Sequence, residues 1–234
     1  MKRFFKWVLV LFLGAIALVV VAIVVFLLSY NAILREVIVH RIRAQTGMNV
    51  EIGSFKLGLL SPTIDVRDFT LYNPPGFGGT PLMKIPEIHA EYDRDALKRH
   101  EIHITVLRFN LGELDIVKNQ AGQTNIFLPA GDLTARKSGG SSSLAEFNKY
   151  SGFKFTGIDK LHVTIGTAKY VDLGNQGNNR EQPIGIDDVI IPNVKSPTDL
   201  GGLALDVELH SNGFFDFLEG QQSSGVDFLK QFGF

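Results

Sequence analysis

Apolar and polar residues divide this chain into one long apolar run, a short helical stretch and a series of two-residue alternations. The run covers residues 7–28 and carries no charge. At about 1.5 Å per residue it spans roughly 33 Å, the thickness of a hydrocarbon core. Lys2, Arg3 and Lys6 precede it, and Trp7 and Tyr30 flank it, where aromatic rings favour the membrane interface. The pattern predicts a basic cytoplasmic tail at 1–6, a transmembrane helix at 7–28 and the remaining chain on the far side. A cleaved signal peptide is the alternative. The run exceeds an h-region, however, and no small-x-small site follows Ser29, Tyr30 and Asn31.

Residues 31–46 read as a helix. Ile33, Leu34, Val37, Ile38 and Ile42 recur at helical spacing, Arg35, Glu36, His40 and Arg43 hold the other side, and Gly47 is a natural stop. Two readings stand side by side. One is an amphipathic helix on the membrane surface, with Arg35, Arg41 and Arg43 near lipid phosphates. The other is a helix that caps the open end of the sheet that follows.

From residue 48 to about 126 the period is two. Val50, Ile52, Phe55, Leu57 and Leu59 supply a first strand, and Ile64, Val66, Phe69 and Leu71 a second, with Ser61 and Pro62 between them. Asn73, Pro74, Pro75 and Gly76 cannot continue a ladder, because proline lacks the N–H and fixes φ. A third strand is expected over 83–92, a helical turn over 95–99, a fourth strand over 101–110 and a fifth over 111–118. In several strands the alternation switches phase once. Ile64 and Val66 oppose Phe69 and Leu71, Met83 and Ile85 oppose Ile88, Ala90 and Tyr92, and Ile102, Ile104 and Val106 oppose Leu107, Phe109 and Leu111. A bulge in each strand would restore one apolar face and bend the sheet strongly. Alternatively, each strand buries opposite faces in its two halves.

Residues 131–143 are a Gly/Ser linker, and a short helix is expected over 144–150. Strand character then resumes. Leu161, Val163, Ile165, Ala168 and Tyr170 form one alternation, and Ile184, Ile186, Val189 and Ile191 another. Leu203, Leu205, Val207 and Leu209 alternate with Ala204, Asp206 and Glu208 and read as a last strand. The organisation expected is a β unit at 47–130, a second at 144–210 continuing the sheet, and a phenylalanine-rich tail at 211–234. In that tail Phe214, Phe215, Phe217 and Leu218, then Val226, Phe228, Leu229 and Phe232, suit short amphipathic helices. They could cover the sheet, bind a partner or plug a groove.

Composition narrows the chemistry. A net charge of -1 over 234 residues argues against a nucleic-acid partner. The absence of cysteine excludes disulfides, thiolate metal sites and cysteine nucleophiles. There is no nucleophile elbow, Walker loop or dinucleotide fingerprint, and no cofactor or enzymatic activity is expected. His100 and His103, three apart on a strand, point to opposite faces and would not chelate one ion. Asp93, Arg94 and Asp95 read as a solvated turn. Asp187 with Asp188 lacks further ligand spacing, and Asp65, Arg67 and Asp68 read as a charge-paired solvent face.

The order of these pieces carries a resemblance. A single anchor is followed by a short helix ending in Gln45, Thr46 and Gly47, and then by a hairpin from Val50, Glu51, Ile52 and Gly53 to Val66, Arg67, Asp68 and Phe69. Next come Asn73, Pro74, Pro75, Gly76 and Phe77, then Met83, Lys84, Ile85, Pro86, Glu87 and Ile88, and finally Gly122, Gln123, Thr124, Asn125 and Ile126. This order resembles the N-terminal region of AsmA-like proteins, relatives of bridge-like lipid-transfer proteins. The match covers roughly residues 1–130, and 155–210 more loosely.

The resemblance implies an inner-membrane anchor, a periplasmic domain and a role in envelope lipid homeostasis and outer-membrane biogenesis. The fold expected is mainly β: a transmembrane helix, then a strongly curved antiparallel sheet forming a taco-like groove with a few short flanking helices. Acyl chains would lie on its apolar face, lined by Ile52, Phe55 and Leu57, by Ile64, Val66, Phe69 and Leu71, and by Ile85 and Ile88. Ile102 and Ile104, then Leu161, Val163 and Ile165, would continue it. Some eight to ten strands would stack to about 40–50 Å, too short to bridge a periplasm alone. The partners expected are membrane phospholipid, and a protein partner or second copy at the sheet edges or the tail. A structural subunit of a larger envelope complex is the rival expectation.

Overall fold

Six strands hydrogen-bond in one sheet, in the order in which the chain makes them. The computed structural model describes residues 30–44, 46–58, 61–125, 152–214 and 217–218. A helix, α1, covers 30–44. The strands are β1 (Val50–Leu57), β2 (Thr63–Tyr72), β3 (Pro81–Tyr92), β4 (Glu101–Lys118), β5 (Lys154–Asp172) and β6 (Arg180–Val194). A short helix, α2 (Arg94–Lys98), joins β3 to β4, and α3 (Gly201–His210) follows β6. The expected apolar run at 7–28, the linker at 131–143, the helix at 144–150 and most of the tail lie outside the described residues. Among those residues no helix is long and apolar enough to cross a membrane.

The structure corrects four expectations. The sheet is not wholly antiparallel: β4 and β5 run parallel, because residues 119–153 return the chain to the end where β4 began. The strands expected at 101–110 and 111–118 are one 18-residue strand, since the chain passes Gly112 without a turn. The described residues hold six strands rather than eight to ten, so the sheet is only about 24 Å across. Finally, 203–209 is helix and not strand. Asp199 Oδ2 accepts the N–H groups of Lys195 and Ser196, both at 2.8 Å, and fixes the turn that launches α3. With Leu, Ala and Glu favouring helix, Leu203 and Val207 meet the core from one side, four residues apart.

A set of irregularities lies on a line across the sheet, whereas the β4 switch between Ile104 and Leu107 lies apart from it, where the register with β3 shifts between Glu91 and Tyr92. Gly53 stands opposite Asp68, where the ladder of β1 and β2 skips a pair although the register on either side is unchanged. Asp68 sits at φ 53°, in the left-handed region, and Gly53 leaves it room: a Cβ there would lie 2.8 Å from the Asp68 Cβ. Asp68 in turn faces Pro86, which has no N–H to give. Further along, Gly112 meets Gly166, where an added Cβ would approach the Gly112 carbonyl oxygen to 2.4 Å. On β6, Gly185 and Asp188 again take positive φ. The switches therefore do not depend on an extra residue in every strand, since β1 and β2 pass theirs in register. A matched irregularity across the sheet turns successive apolar positions to one side.

They do turn to one side. One buried cluster gathers Ile116, Ala168, Tyr170, Ile184 and Ile186 under Phe214 and Leu218. Another gathers Ile158, Leu161, Val163 and Val194. Ile165 and Leu203 pack against both, so residues on either side of the crease share a face. Of the two readings of the phase switch, one continuous apolar face is what forms, without a bulge in every strand.

Candidate functional site

The apolar face is built in rungs, because residues paired across neighbouring strands project to the same side. One rung runs Leu57, Ile64, Ala90, Leu107, Leu161, Ile191, through all six strands. The next runs Phe55, Val66, Ile88, Phe109, Val163, Val189. Beyond the crease, Ile52, Phe69 and Ile85 form a third, and Val50, Leu71, Met83, Leu114 and Ala168 a fourth. Ile102 and Ile104 extend the face at the Leu57 end, where Ile104 pairs with Tyr92 and Ile158. All the residues expected to line a groove thus lie on one face.

Sequence reasoning missed the middle of that face. Leu107, Phe109 and Leu114 of β4 bridge the two halves. Their alternation was visible, but only the parallel register with β5 aligns them with Leu161, Val163 and Ala168.

Burial divides the face in two. Over β5 and β6, Leu161, Val163, Ala168, Tyr170, Ile184 and Ile186 are buried. Their cover is α3 with Phe214 and Leu218, and Phe217 meets the Tyr170 ring edge-on at 5.3 Å. Over β2 and β3, Ile64, Val66, Phe69, Leu71, Ile88 and Ala90 are only half-buried, whereas Ile85 of β3 and Val50 and Ile52 of β1 are buried. At the Leu57 end this half opens into a cavity of about 330 Å³ lined by Leu57, Ile64, Tyr92, Leu97, Ile102 and Ile104, among others. Its wall is almost wholly carbon, which suits an alkyl chain, with Asp93, Glu101 and His103 at its margin.

Helix α1 guards the outer edge of β1. Tyr30 Oη donates to the Leu57 carbonyl. The Leu57 N–H donates to Asn31 Oδ1 at 3.0 Å, and Arg35 Nη1 reaches the carbonyls of Ile52 and Gly53 at 3.3 Å each. These are edge groups with no strand to pair with, so the helix blunts the edge. Arg35 is thus half-buried and turned to the sheet, whereas Arg41 and Arg43 are exposed. Ile33 and Val37 are also exposed, on the side of α1 away from β1.

Two of the pieces that carry the family resemblance touch. Asn73 opens the loop between β2 and β3, and its carboxamide donates to the Pro81 carbonyl at 3.2 Å. Phe77, in the 3₁₀ turn Pro75–Phe77, is buried, and Gly78 closes that turn at φ 79°. Asn125 Nδ2 donates to Asn73 Oδ1 and to the Asp115 carbonyl, both at 2.8 Å, and Asn125 Oδ1 accepts the Val117 N–H at 3.0 Å. Both asparagines are buried, so this junction clamps the end of β4 to the β2–β3 loop.

The opposite face is polar. His89 pairs with Asp65 at 2.7 Å, His103 with Asp159 at 3.1 Å and His162 with Asp188 at 2.8 Å, each between neighbouring strands. The hydrogen bond to Asp65 raises the His89 pKa above its ordinary value. Glu113 lies between Lys169 and Lys84, both at 2.6 Å, and their hydrogen bonds lower its pKa. Asp115 beside it is pushed up to about 6, first by burial and then by the Glu113 charge. His100 takes φ 61° and lies 5.4 Å from the Phe153 ring, so it does not join His103. Asp93 caps α2 by accepting the N–H groups of Asp95 and Ala96. Among the described residues no group of three or more His, Cys, Asp or Glu side chains is placed to hold a metal ion.

No family model, curated protein or solved structure matches this chain. The resemblance read in the sequence rests on the order of its pieces alone.

Proposed function

We propose that this chain is an inner-membrane-anchored, periplasmic, AsmA-like protein that binds or passes phospholipid along an apolar β-groove. The observation that carries the reading is the apolar face with two rungs running unbroken through all six strands, whose residues over β2 and β3 are mostly half-buried among the described residues. Burying an acyl chain there gains about 0.8 kcal/mol per methylene through the hydrophobic effect. No catalytic group is required. A sheet about 24 Å across does not bridge two membranes, so transfer would need a partner or a second copy.

One observation favours a second reading. The cover that α3, Phe214 and Leu218 place over β5 and β6 fills that half with the chain's own side chains. A structural subunit of an envelope complex would need no open groove and would present this covered half to its neighbours.

Lipid analysis of the full chain, extracted in gentle detergent and held intact in native mass spectrometry, separates the two. The carrier reading expects bound phospholipid that is lost in Ile88→Lys, whose charge enters the open half. A lipid-free chain with a stoichiometric protein partner overturns it and leaves the structural reading.

A further inference from the structure

The end of the sheet that carries the cavity is also the end where the chain meets residues 1–29. Tyr30 and Asn31 are both bonded to Leu57, and Leu57 is a wall of the cavity. The apolar run at 7–28 stops two residues before Tyr30, a distance of at most about 7 Å of chain. Across the cavity from Leu57 stands Leu97 of α2. It is 40% exposed, although the neighbouring Ala96 is buried and already anchors the helix. Arg94, Lys98 and Arg99 surround it in sequence, and Lys98 and Arg99 keep exposed side chains although each meets a surface carboxylate. On the near side Ile33, one turn on from Tyr30 in α1, is likewise exposed.

We propose that this end of the sheet docks on the bilayer surface, with α2 as a second contact beside the anchor and the cavity as the mouth of the groove. The inference rests on the membrane-anchored lipid-binding reading and adds the orientation of the domain. A lipid surface suits such a set of side chains, because Leu97 and Ile33 enter the acyl boundary while Lys98 and Arg99 reach phosphates. The cavity wall between Leu57 and Leu97 then opens toward lipid, and a chain leaving the bilayer meets Ile64 and Ile104 without crossing water. The 3₁₀ turn Gln176–Asn178 leads into the far end of β6 and stands away from the membrane.

The chain has no cysteine, so a single introduced one reports without background. Leu97→Cys, and separately Lys98→Cys, are nitroxide-labelled in the full chain and reconstituted in phosphatidylethanolamine–phosphatidylglycerol vesicles. Gln176→Cys serves as the distant reference. Collision of the label with oxygen and with a water-soluble nickel chelate is read by electron paramagnetic resonance. The expected result at 97 is an oxygen-to-nickel ratio at least threefold above that at 176, with 98 intermediate. Ratios at 97 and 98 equal to that at 176 overturn the docking. Lipid retention is measured on the same samples. Retained lipid with a water-exposed position 97 defeats the docking alone, whereas an immersed position 97 without retained lipid supports the docking and defeats the groove.

Discussion

Replacing Asn125 by alanine tests the clamp between the two family-like pieces. The side chain makes three hydrogen bonds, to Val117 N–H, Asn73 Oδ1 and the Asp115 carbonyl, at 3.0, 2.8 and 2.8 Å. Its removal orphans three buried groups, each costing about 1–3 kcal/mol if left dry. A water in the vacated space would recover part of that, so the net loss is expected at about 2–4 kcal/mol. Urea unfolding of the full chain in detergent, followed by far-ultraviolet circular dichroism, reads this as a lower midpoint at unchanged slope. Asn125→Asp should cost more at neutral pH. It keeps the acceptor for Val117 but turns a charged oxygen toward the Asn73 and Asp115 oxygens. Hydrogen exchange gives a local check, because the Val117 amide loses its acceptor and should exchange faster in the alanine variant. A loss below about 0.5 kcal/mol, with Val117 as protected as before, would refute the clamp.

Three further outcomes are expected. Because the folded pKa of Asp115 is raised from 3.8 to about 6, native Asp115 holds its proton more tightly than unfolded Asp115, and its contribution falls as pH rises through that window. Asp115→Asn should therefore be more stable than wild type at pH 7 by about 1–2 kcal/mol after solvent screening, and the gap should close toward pH 4, read from urea midpoints. Gly166→Ala forces a Cβ against the Gly112 carbonyl and should cost about 2–4 kcal/mol, whereas Gly201→Ala, with open space around it, should not lower the thermal midpoint. Tyr170 is fully buried, its hydroxyl meets no hydrogen-bond partner among the described residues, and burial pushes its pKa up to about 12. Tyr170→Phe should thus be neutral or up to about 1 kcal/mol stabilising by thermal unfolding.

Much of the sheet is legible in the sequence, because a half-buried strand must alternate. The switches between Val66 and Phe69 and between Ile85 and Ile88 mark the line of irregularities across the sheet in the sequence itself. Their mechanism was not legible. That Asp68 takes a left-handed φ opposite Gly53 depends on which strands become neighbours, and register is not local information. The parallel pairing of β4 with β5 was hidden for the same reason. Leu203, Leu205, Val207 and Leu209 misled because a period of two also fits a helix that is apolar on most sides. Here Leu205 and Leu209 remain exposed while Leu203 and Val207 meet the core. Of the candidate face, the first three strands and β5 were readable. The contribution of β4 beyond Ile104 was recognised only through its partners.

The parallel junction also sets an order of assembly. β1 to β4 join their neighbours through short connections, so the first four strands form by local zippering. Leu107 and Leu161 meet from 54 positions apart, with residues 119–153 closing the loop between strands. Closing that loop costs chain entropy before any β4–β5 bond repays it. The N-terminal meander can therefore stand as a kinetic unit while β5 and β6 are still being made. Until they arrive, β4 presents an 18-residue unpaired edge, and this interval is when the nascent protein is most exposed to pairing with the wrong strand.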